Sequence, residues 1–571
     1  MKNQFVADIL YQIADLLDLK GEIFFKTRAY RIAAQTIEAF DEDIAIVASE
    51  DRLQDIQGIG EALAKKIKEL VETGKLEYFE KLKKEMPEGL LLMLDILGLG
   101  PKKVASLYNN LGIETIEQLR EACEQGNVRD LEGFGEITER NILRGIKLKD
   151  KISGRVLLSI AIEDGNSYVE YLNKCKEIDK LSIAGSLRRR KETIGDLDIL
   201  VSSTKADKVM DFFVKYYDVQ RVLMKGPTKS SVILNDGLQV DLRVVESKSF
   251  GAALQYFTGS KEHNVKMRSL AIKKGYKLSE YGLFEKDTEK YMVGKTEEEV
   301  YSKLGLGFIV PELRENRGEV EAASKKKLPN LVDYNDIKGD LHVHSIWSDG
   351  LESIETMAKI CQKKGYEYVA IADHSQTLHV ANGLSHERVL KKKKEIEKLN
   401  KKFKDLKIFC GTECDIKADG TLDYSKKTLK LFDFVCIGIH TNFKMNSKEA
   451  TNRIIKAMEN EYTDCLAHPT CRIIGRRPPF ELDIEKIFDT AVETDTYLEI
   501  NSSPDRLDLN DMNAKLAKEK GVKFIISTDA HNVNHLPYME YGVATARRGW
   551  LEKKDILNTY TLKEIEKKFR M

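Results

Sequence analysis

Hydrophobic and polar positions change rhythm along the chain. Residues 1–150 read as helices throughout. Near residue 181 the pattern turns to strands. An apolar run, Leu181 to Ala184, stops at Gly185-Ser186. Asp196-Leu197-Asp198-Ile199-Leu200-Val201 then alternates, so Asp196 and Asp198 share one strand face while Leu197 and Ile199 face a core. LQVDLRVV, with Asp241, is a second strand of alternating pattern. From residue 338 onward short apolar runs end in a polar residue, and many are separated by Lys/Glu-rich helical stretches. The runs are GDLHVHS, YVAIADHS, LKIFCGTECD, DFVCIGIH, DCLAHPT, YLEINSS and KFIISTDAH. Strands alternating with helices predict a parallel sheet. Functional groups at the C-terminal ends of such strands predict a barrel with its site on that face.

Composition sharpens the picture. A chain of 571 residues predicts about three to five domains. Hydrophobic residues at 42% and charged residues at 32% are those of an ordinary globular chain. No apolar run is long enough to span a bilayer, and MKNQFVADIL lacks the features of a signal peptide, so a cytoplasmic protein without a membrane partner is expected. Net charge is zero, but Arg188, Arg189, Arg190 and Lys191 cluster, as a nucleic-acid or phosphate site requires. Lys391 to Lys394 read as a solvated helix face. Eight scattered cysteines read as free thiols; Cys410 and Cys414 flank Glu413, but no second pair completes a zinc site. Of ten histidines only His263 precedes residue 340. The chain therefore reads as two chemically different halves, with a charged linker at 317–337.

In the helical region Gly-apolar-Gly occurs three times: Gly58-Ile59-Gly60, Gly98-Leu99-Gly100 and Gly133-Phe134-Gly135, each followed by a helical stretch. Two glycines permit a tight turn and close approach, and the helix start offers unpaired N–H groups to a phosphate. One copy would be an interhelix turn. Three copies predict grip on a DNA backbone without sequence readout, and they resemble helix-hairpin-helix motifs.

Gly185-Ser186, the arginines, Asp196-x-Asp198 and Asp241 together predict nucleotidyl transfer. Three carboxylates from two strands suit two hard divalent ions, Mg2+ or Mn2+, flanking a phosphoryl group. This segment resembles the palm of the family X DNA polymerases, and the likeness continues through Tyr256-Phe257-Thr258-Gly259-Ser260 and runs over about residues 1–316. The resemblance implies that Gly185, Ser186 and Arg189 hold the triphosphate and that Gly195 also contacts the nucleotide. It places Tyr256, Phe257 and Gly259 at the sugar, and Asn264 and Arg268 at the nascent base pair. It implies that Asp196 and Asp198 bind both metals, and that Asp241 binds one and helps activate the primer 3′-hydroxyl. Gln239 departs from the family's arginine beside the third carboxylate. The family also suggests a 5′-deoxyribose-phosphate lyase. Lys66 matches the nucleophile, and Lys26 and Tyr30 also match, whereas Phe25 and Ala62 replace two phosphate-holding residues, so the lyase stays open.

The C-terminal histidines and carboxylates at successive strand ends predict a metal cluster. Mixed imidazole and carboxylate donors favour zinc, manganese or iron over magnesium. Residues 338–571 resemble the PHP (polymerase and histidinol phosphatase) family, whose ligand positions are filled here by His342, His344, Asp349, His374, Glu413, His440, His468, Asp529 and His531. The resemblance implies up to three ions. Glu413 would bridge two of them, one completed by His342, His344 and Asp529 and the other by His440 and His468. Asp349, His374 and His531 would hold the third.

The expected architecture is multidomain α/β. A helical N-terminal domain (1–88) and a helical DNA-binding subdomain (89–152) precede a nucleotidyltransferase palm (153–245) and a thumb (246–316). The linker (317–337) leads to a distorted (β/α)7 barrel (338–571). The expected protein is a monomeric gap-filling repair polymerase acting on gapped or primer–template DNA with deoxynucleoside triphosphates. It carries a 3′-to-5′ exonuclease, with abasic-site cleavage left open. The rivals are a template-independent nucleotidyltransferase and a small-molecule phosphatase tethered to a DNA-binding module.

Overall fold

The computed structural model describes residues 3–569, except 23, 39, 41, 57, 95, 97, 98 and 153. The chain divides into two compact units: residues 1–151 with the short segments 471–480 and 532–534, and the remainder.

The first unit is helical, as the sequence predicts. Helices Asn3–Leu19 and Phe24–Glu38 bury Val6, Leu10, Ile13, Ala33 and Ile37 in one core with Leu63, Ile67 and Leu70 of helix Glu61–Thr73. A second core gathers Val104 and Leu107 of helix Pro101–Leu111 with Leu119, Ile142 and Ile146. Pro101 sits in the first turn of its helix, where its missing N–H removes no bond.

In the second unit a five-stranded sheet carries the period-two segments. Its strand order is Lys180–Ile183, Asp196–Ser202, Gln239–Val245, Lys229–Leu234 and Val219–Lys225. Only the contact between Asp196–Ser202 and Gln239–Val245 is parallel. Leu197 and Ile199 are buried, as the alternation predicts. Helices Phe250–Thr258 and Lys261–Lys273 follow, then a three-stranded antiparallel sheet of Tyr276–Ser279, Gly282–Glu285 and Tyr291–Val293.

The segment expected to link the halves is packed. Glu319–Ser324 is helical, and Glu319 is fully buried, its carboxylate 2.7 Å from His263 Nδ1 and accepting N–H bonds from Asn316 and Arg317. The high charge of this stretch marks internal pairing as well as solvation.

Residues 338–571 form seven parallel strands in sequence order: Gly339–Val343, Tyr368–Ile371, Lys407–Asp415, Phe434–Gly438, Cys465–Leu466, Tyr497–Asn501 and Phe524–Ser527. A bridge between Val343 and Ala530 brings the last strand's end back to the first, so the barrel is nearly closed. These strands are buried almost throughout, as parallel strands covered by helices must be. Among the described residues no helix is long and apolar enough to cross a membrane. All eight cysteines are buried, including Cys410 and Cys414.

Candidate functional sites

The palm carboxylates come together through register. Asp198 stands opposite Asp241 on the adjoining parallel strand, and Asp196 opposite Gln239. Burial, with the charges of Asp196 and Asp241, raises Asp198 to about 7. Asp241 behaves oppositely. Burial pushes it up, but hydrogen bonds from Lys229, Gln239 and Ser231 outweigh that and hold it below its ordinary value. Lys229 Nζ lies 2.6 Å from Asp241 Oδ2, and Gln239 Nε2 donates to Oδ1 at 2.8 Å. Gln239 thus keeps a hydrogen bond where the family's arginine would bring charge, and Lys229, on the neighbouring antiparallel strand, brings the charge instead. Its spacing from Asp241 carried no signal in the sequence.

Gly185 has a left-handed φ of 61°, and a Cβ there would collide with Asp198 Oδ2, so only glycine lets the loop approach the carboxylate. Gly185 and Ser186 open a short helical turn, Gly185–Arg188. Gly195 immediately precedes the strand bearing Asp196 and Asp198, and a Cβ on it would lie 3.0 Å from Arg155 Nη1. Of the clustered cations, Arg188 is committed to Glu297, Nη2 to Oε2 at 2.6 Å, and Arg314 joins the same carboxylate at 2.5 Å. Arg189 pairs with Glu315 through Nε at 3.0 Å and donates to the Thr258 carbonyl. Thr258 leads into Gly259, where a Cβ would stand 3.1 Å from Arg189 Nη1. The arginine run and the 256–260 turn, some 70 residues apart, therefore form one surface. Asn264 donates to the Tyr256 carbonyl (2.7 Å) and accepts from Gln255 (2.8 Å), while Arg268 is one helical turn further along. The Phe257 ring stacks under the Arg243 guanidinium at 4.3 Å.

The barrel gathers its polar strand ends more tightly. Groups of donor atoms within 4.8 Å of one another are His342, His344, Glu413 and Asp529; His344, Asp349, His374 and His531; and His374, Glu413 and His440. His440 Nε2 and His468 Nε2 each lie 2.9 Å from Glu413 Oε1, and His374 Nδ1 lies 3.1 Å from Oε2. His374 thus stands beside Glu413 as well as Asp349, and His344 reaches two groups. Gly438 is required sterically: a Cβ there would sit 2.8 Å from Glu413 Oε1 and 2.9 Å from the His440 ring.

These residues fit divalent cations. His342 Nδ1 lies 2.7 Å from Glu499 Oε1, which directs its proton there and leaves Nε2 as a lone pair. That Nε2 is 3.1 Å from His344 Nε2 and 3.3 Å from Glu413 Oε2, a convergence of acceptors that a cation satisfies. Among the described residues, buried His344 Nδ1, Asp349 Oδ1 and His468 Nδ1 have no hydrogen-bond partner. The field points the same way. Burial disfavours charge on His440, yet Glu413 and Asp415 lift it to about 10; Asp349 and Asp529 lift His531 to about 9 against the same penalty. Sequence reading assigned no role to the outer ring: Asp415 Oδ1, 2.7 Å from His440 Nδ1, and Glu499, which also accepts from Ser527 and the His468 N–H. Lys392 corrects another expectation. It is 0% exposed, not solvated, and its amine reaches Asp373 Oδ2 (2.7 Å) and the Ile371 and Gly411 carbonyls. A Lys-rich face hides a buried position because one residue in each turn must face the sheet.

In the helical unit the three glycine turns close alike: Ile59, Leu99 and Phe134 each donate to the carbonyl three residues back (3.1, 3.0 and 3.1 Å). Gly60 and Gly100 cap the helices Glu61–Thr73 and Pro101–Leu111 in extended conformation. The third turn departs from that pattern. Gly135 is left-handed, like Gly133, and its N–H bonds to the Arg129 carbonyl. Gly58 is left-handed also, whereas Gly98 lies outside the described residues. Lys66 is half-buried, with Nζ 4.7 Å from the Tyr78 ring centroid and 5.8 Å from that of Tyr30. Desolvation and nearby Lys26 lower its pKa; Lys26 itself pairs with Glu22 at 3.1 Å.

A carboxylate trio on a mixed sheet defines a nucleotidyltransferase-type centre, and the barrel-mouth histidines define a metal-dependent phosphoesterase-type centre. Family profiles agree piece by piece: a helix-hairpin-helix domain at residues 1–76, a SAM-like helix-hairpin-helix tandem at 90–148, the DNA polymerase beta thumb at 253–315 and a PHP domain at 340–503. The DNA polymerase/3′-5′ exonuclease PolX of Bacillus subtilis (strain 168) is 41% identical over 99% of both chains. Rat DNA polymerase lambda is 26% identical over 55% of this chain and 56% of its own. A probable phosphatase of Thermoanaerobacter sp. (strain X514) is 29% identical over 38% of this chain and 89% of its own. The chain belongs to the family X DNA polymerases that carry a C-terminal PHP domain.

Proposed function

We propose that this chain fills short DNA gaps by template-directed polymerisation in the palm and removes 3′-terminal nucleotides at the barrel mouth, in base excision repair. The observation that carries the reading is the pairing of Asp198 with Asp241 on adjacent parallel strands, with Gly185 backed against Asp198, in the same chain as the eight-residue barrel cluster that His468 joins through Glu413. The substrates are gapped or primer–template DNA and deoxynucleoside triphosphates, and the working form is a monomer. The helix starts after Gly60 and Gly100 hold the DNA backbone through N–H groups.

Asp196, Asp198 and Asp241 would hold two Mg2+ or Mn2+. His342, His344, Glu413 and Asp529, then His440 and His468 with Glu413, and Asp349, His374 and His531 would hold up to three zinc, manganese or iron ions. Bound divalent ions would supply Lewis acidity and charge neutralisation for phosphoryl transfer at both centres. Asp241, kept ionised by Lys229 and Gln239, helps draw the proton from the primer 3′-hydroxyl. Arg189 and the Gly185-Ser186 turn bind the triphosphate. Tyr256, Phe257 and Gly259 face the sugar, and Asn264 and Arg268 face the base pair. In the barrel, Glu499 and Asp415 hold His342 and His440 in fixed orientation.

A second reading concerns Lys66. A nucleophilic amine needs a lowered pKa, and burial beside Tyr30 and Tyr78 with Lys26 nearby lowers this one, which favours 5′-deoxyribose-phosphate lyase chemistry.

The polymerase reading is tested with a 5′-labelled primer in gapped DNA with Mn2+, with and without deoxynucleotides. Asp196→Ala/Asp198→Ala is expected only to shorten the primer, and His342→Ala/His344→Ala only to lengthen it. Shortening by the histidine variant at the wild-type rate would remove the exonuclease from the barrel and point to a small phosphoester substrate.

A further inference from the structure

Arg548, the last residue of helix Met539–Arg548 on the barrel's outside, is 4% exposed. Its Nη1 donates to the main-chain carbonyl of Arg189 (2.6 Å) and to Glu315 Oε1 (3.1 Å), and its Nη2 to Asp511 Oδ2 (2.7 Å). Asp511, at the start of helix Asp511–Lys520, also takes Arg317 Nη1 at 2.9 Å. The result is a file of alternating charge, Arg317–Asp511–Arg548–Glu315–Arg189, buried at Arg548 and Arg189 and half-buried at the other three, that runs from the barrel's helices into the palm.

Two features give this file a consequence for the nucleotide site. Arg548 grips the backbone of the residue whose side chain faces the 258–260 turn. It also shares one oxygen of Glu315 with that side chain, since Arg189 Nε lies 3.0 Å from the same Oε1. One carboxylate charge divided between two guanidinium groups leaves Arg189 with net positive charge to offer an anion. Were Arg548 absent, Glu315 would pair with Arg189 alone, and the Arg189 carbonyl would lose its buried donor. Burial by itself would raise Glu315; Arg548 and then Arg189 are the charges that hold it ionised.

We propose that Arg548, a residue of the PHP barrel, is a positioning residue of the polymerase site that sets the affinity of Arg189 for the incoming triphosphate. The inference rests on the reading of Arg189 as a triphosphate ligand. It makes the barrel part of the polymerase.

The test is steady-state gap filling by the full chain, with KM for deoxynucleotide and for gapped DNA measured separately, beside 3′ hydrolysis and metal content. Arg548→Met is expected to raise the deoxynucleotide KM about tenfold, the weight of one charge-assisted hydrogen bond, with kcat and the DNA KM changed far less. Hydrolysis and metal content should hold. Arg548→Lys should recover part of the loss. Adding Glu315→Gln to Arg548→Met should bring KM back toward wild type, because it removes the unshared carboxylate; a merely structural role predicts two losses that add. Arg189→Ala separates the premises. If Arg189→Ala raises the deoxynucleotide KM and Arg548→Met does not, the inference falls and the ligand reading stands. If Arg189→Ala leaves KM unchanged, the ligand reading falls as well. A parallel rise in both KM values, or additivity in the double variant, also overturns the proposal.

Discussion

Burial at Asp198, reinforced by the charges of Asp196 and Asp241, lifts its carboxyl to about 7, while Asp241 stays ionised beside Lys229. Below about pH 7 Asp198 is protonated, and a divalent cation held there as proposed would have to displace that proton. Cation affinity at the palm should therefore rise about tenfold per pH unit up to about pH 7 and then level off. Mn2+ titrations of the His342→Ala/His344→Ala variant between pH 5.5 and 8.5 measure this, and a flat profile would refute the raised value. The aspartates themselves were legible, since period-two spacing puts Asp196 and Asp198 on one face whatever the fold. Lys229 was not, because its pairing with Asp241 depends on strand register. Glu499 and Asp415 were likewise visible only as residue types until His342 and His440 were seen to lean on them.

At the scale of an element, helix His386–Lys402 shows how a charged sequence can hide a structural post. Lys392 reaches between strands to buried Asp373, which also accepts from Ser345 and Ser348. Lys392→Met would leave that carboxylate buried without its cation, at a cost of about 3–5 kcal/mol. Urea unfolding of the barrel should show that loss; a change under about 1 kcal/mol would mean that the two serines suffice. The residues 317–337 teach the same lesson. Their charge read as the mark of a linker, but Glu319 is an internal partner of His263, itself one residue from Asn264. Local pattern told strand from helix reliably here, but it could not tell a solvated charge from a paired one.

Across the whole molecule the proposed polymerase, exonuclease and lyase chemistries fall on different residues and should be separable. Lys66→Ala in the full chain is expected to abolish borohydride trapping of an incised abasic-site DNA, with primer extension and 3′ shortening kept at wild-type rates. Undiminished trapping would exclude Lys66 as the lyase nucleophile.

What the sequence by itself determined was short-range: the helical front, the paired aspartates, the glycine turns and the strand-end histidines. Each follows from backbone sterics and side-chain periodicity within a few residues, which hold before any tertiary contact forms. What only the tertiary structure decided was which distant groups meet: Lys229 with Asp241, Lys392 with Asp373, and Arg548 with Arg189 across 359 residues. Those meetings set charge and affinity because burial strips water from both partners. How deeply a group is buried, and beside what, belongs to the packed chain and not to its neighbours in sequence.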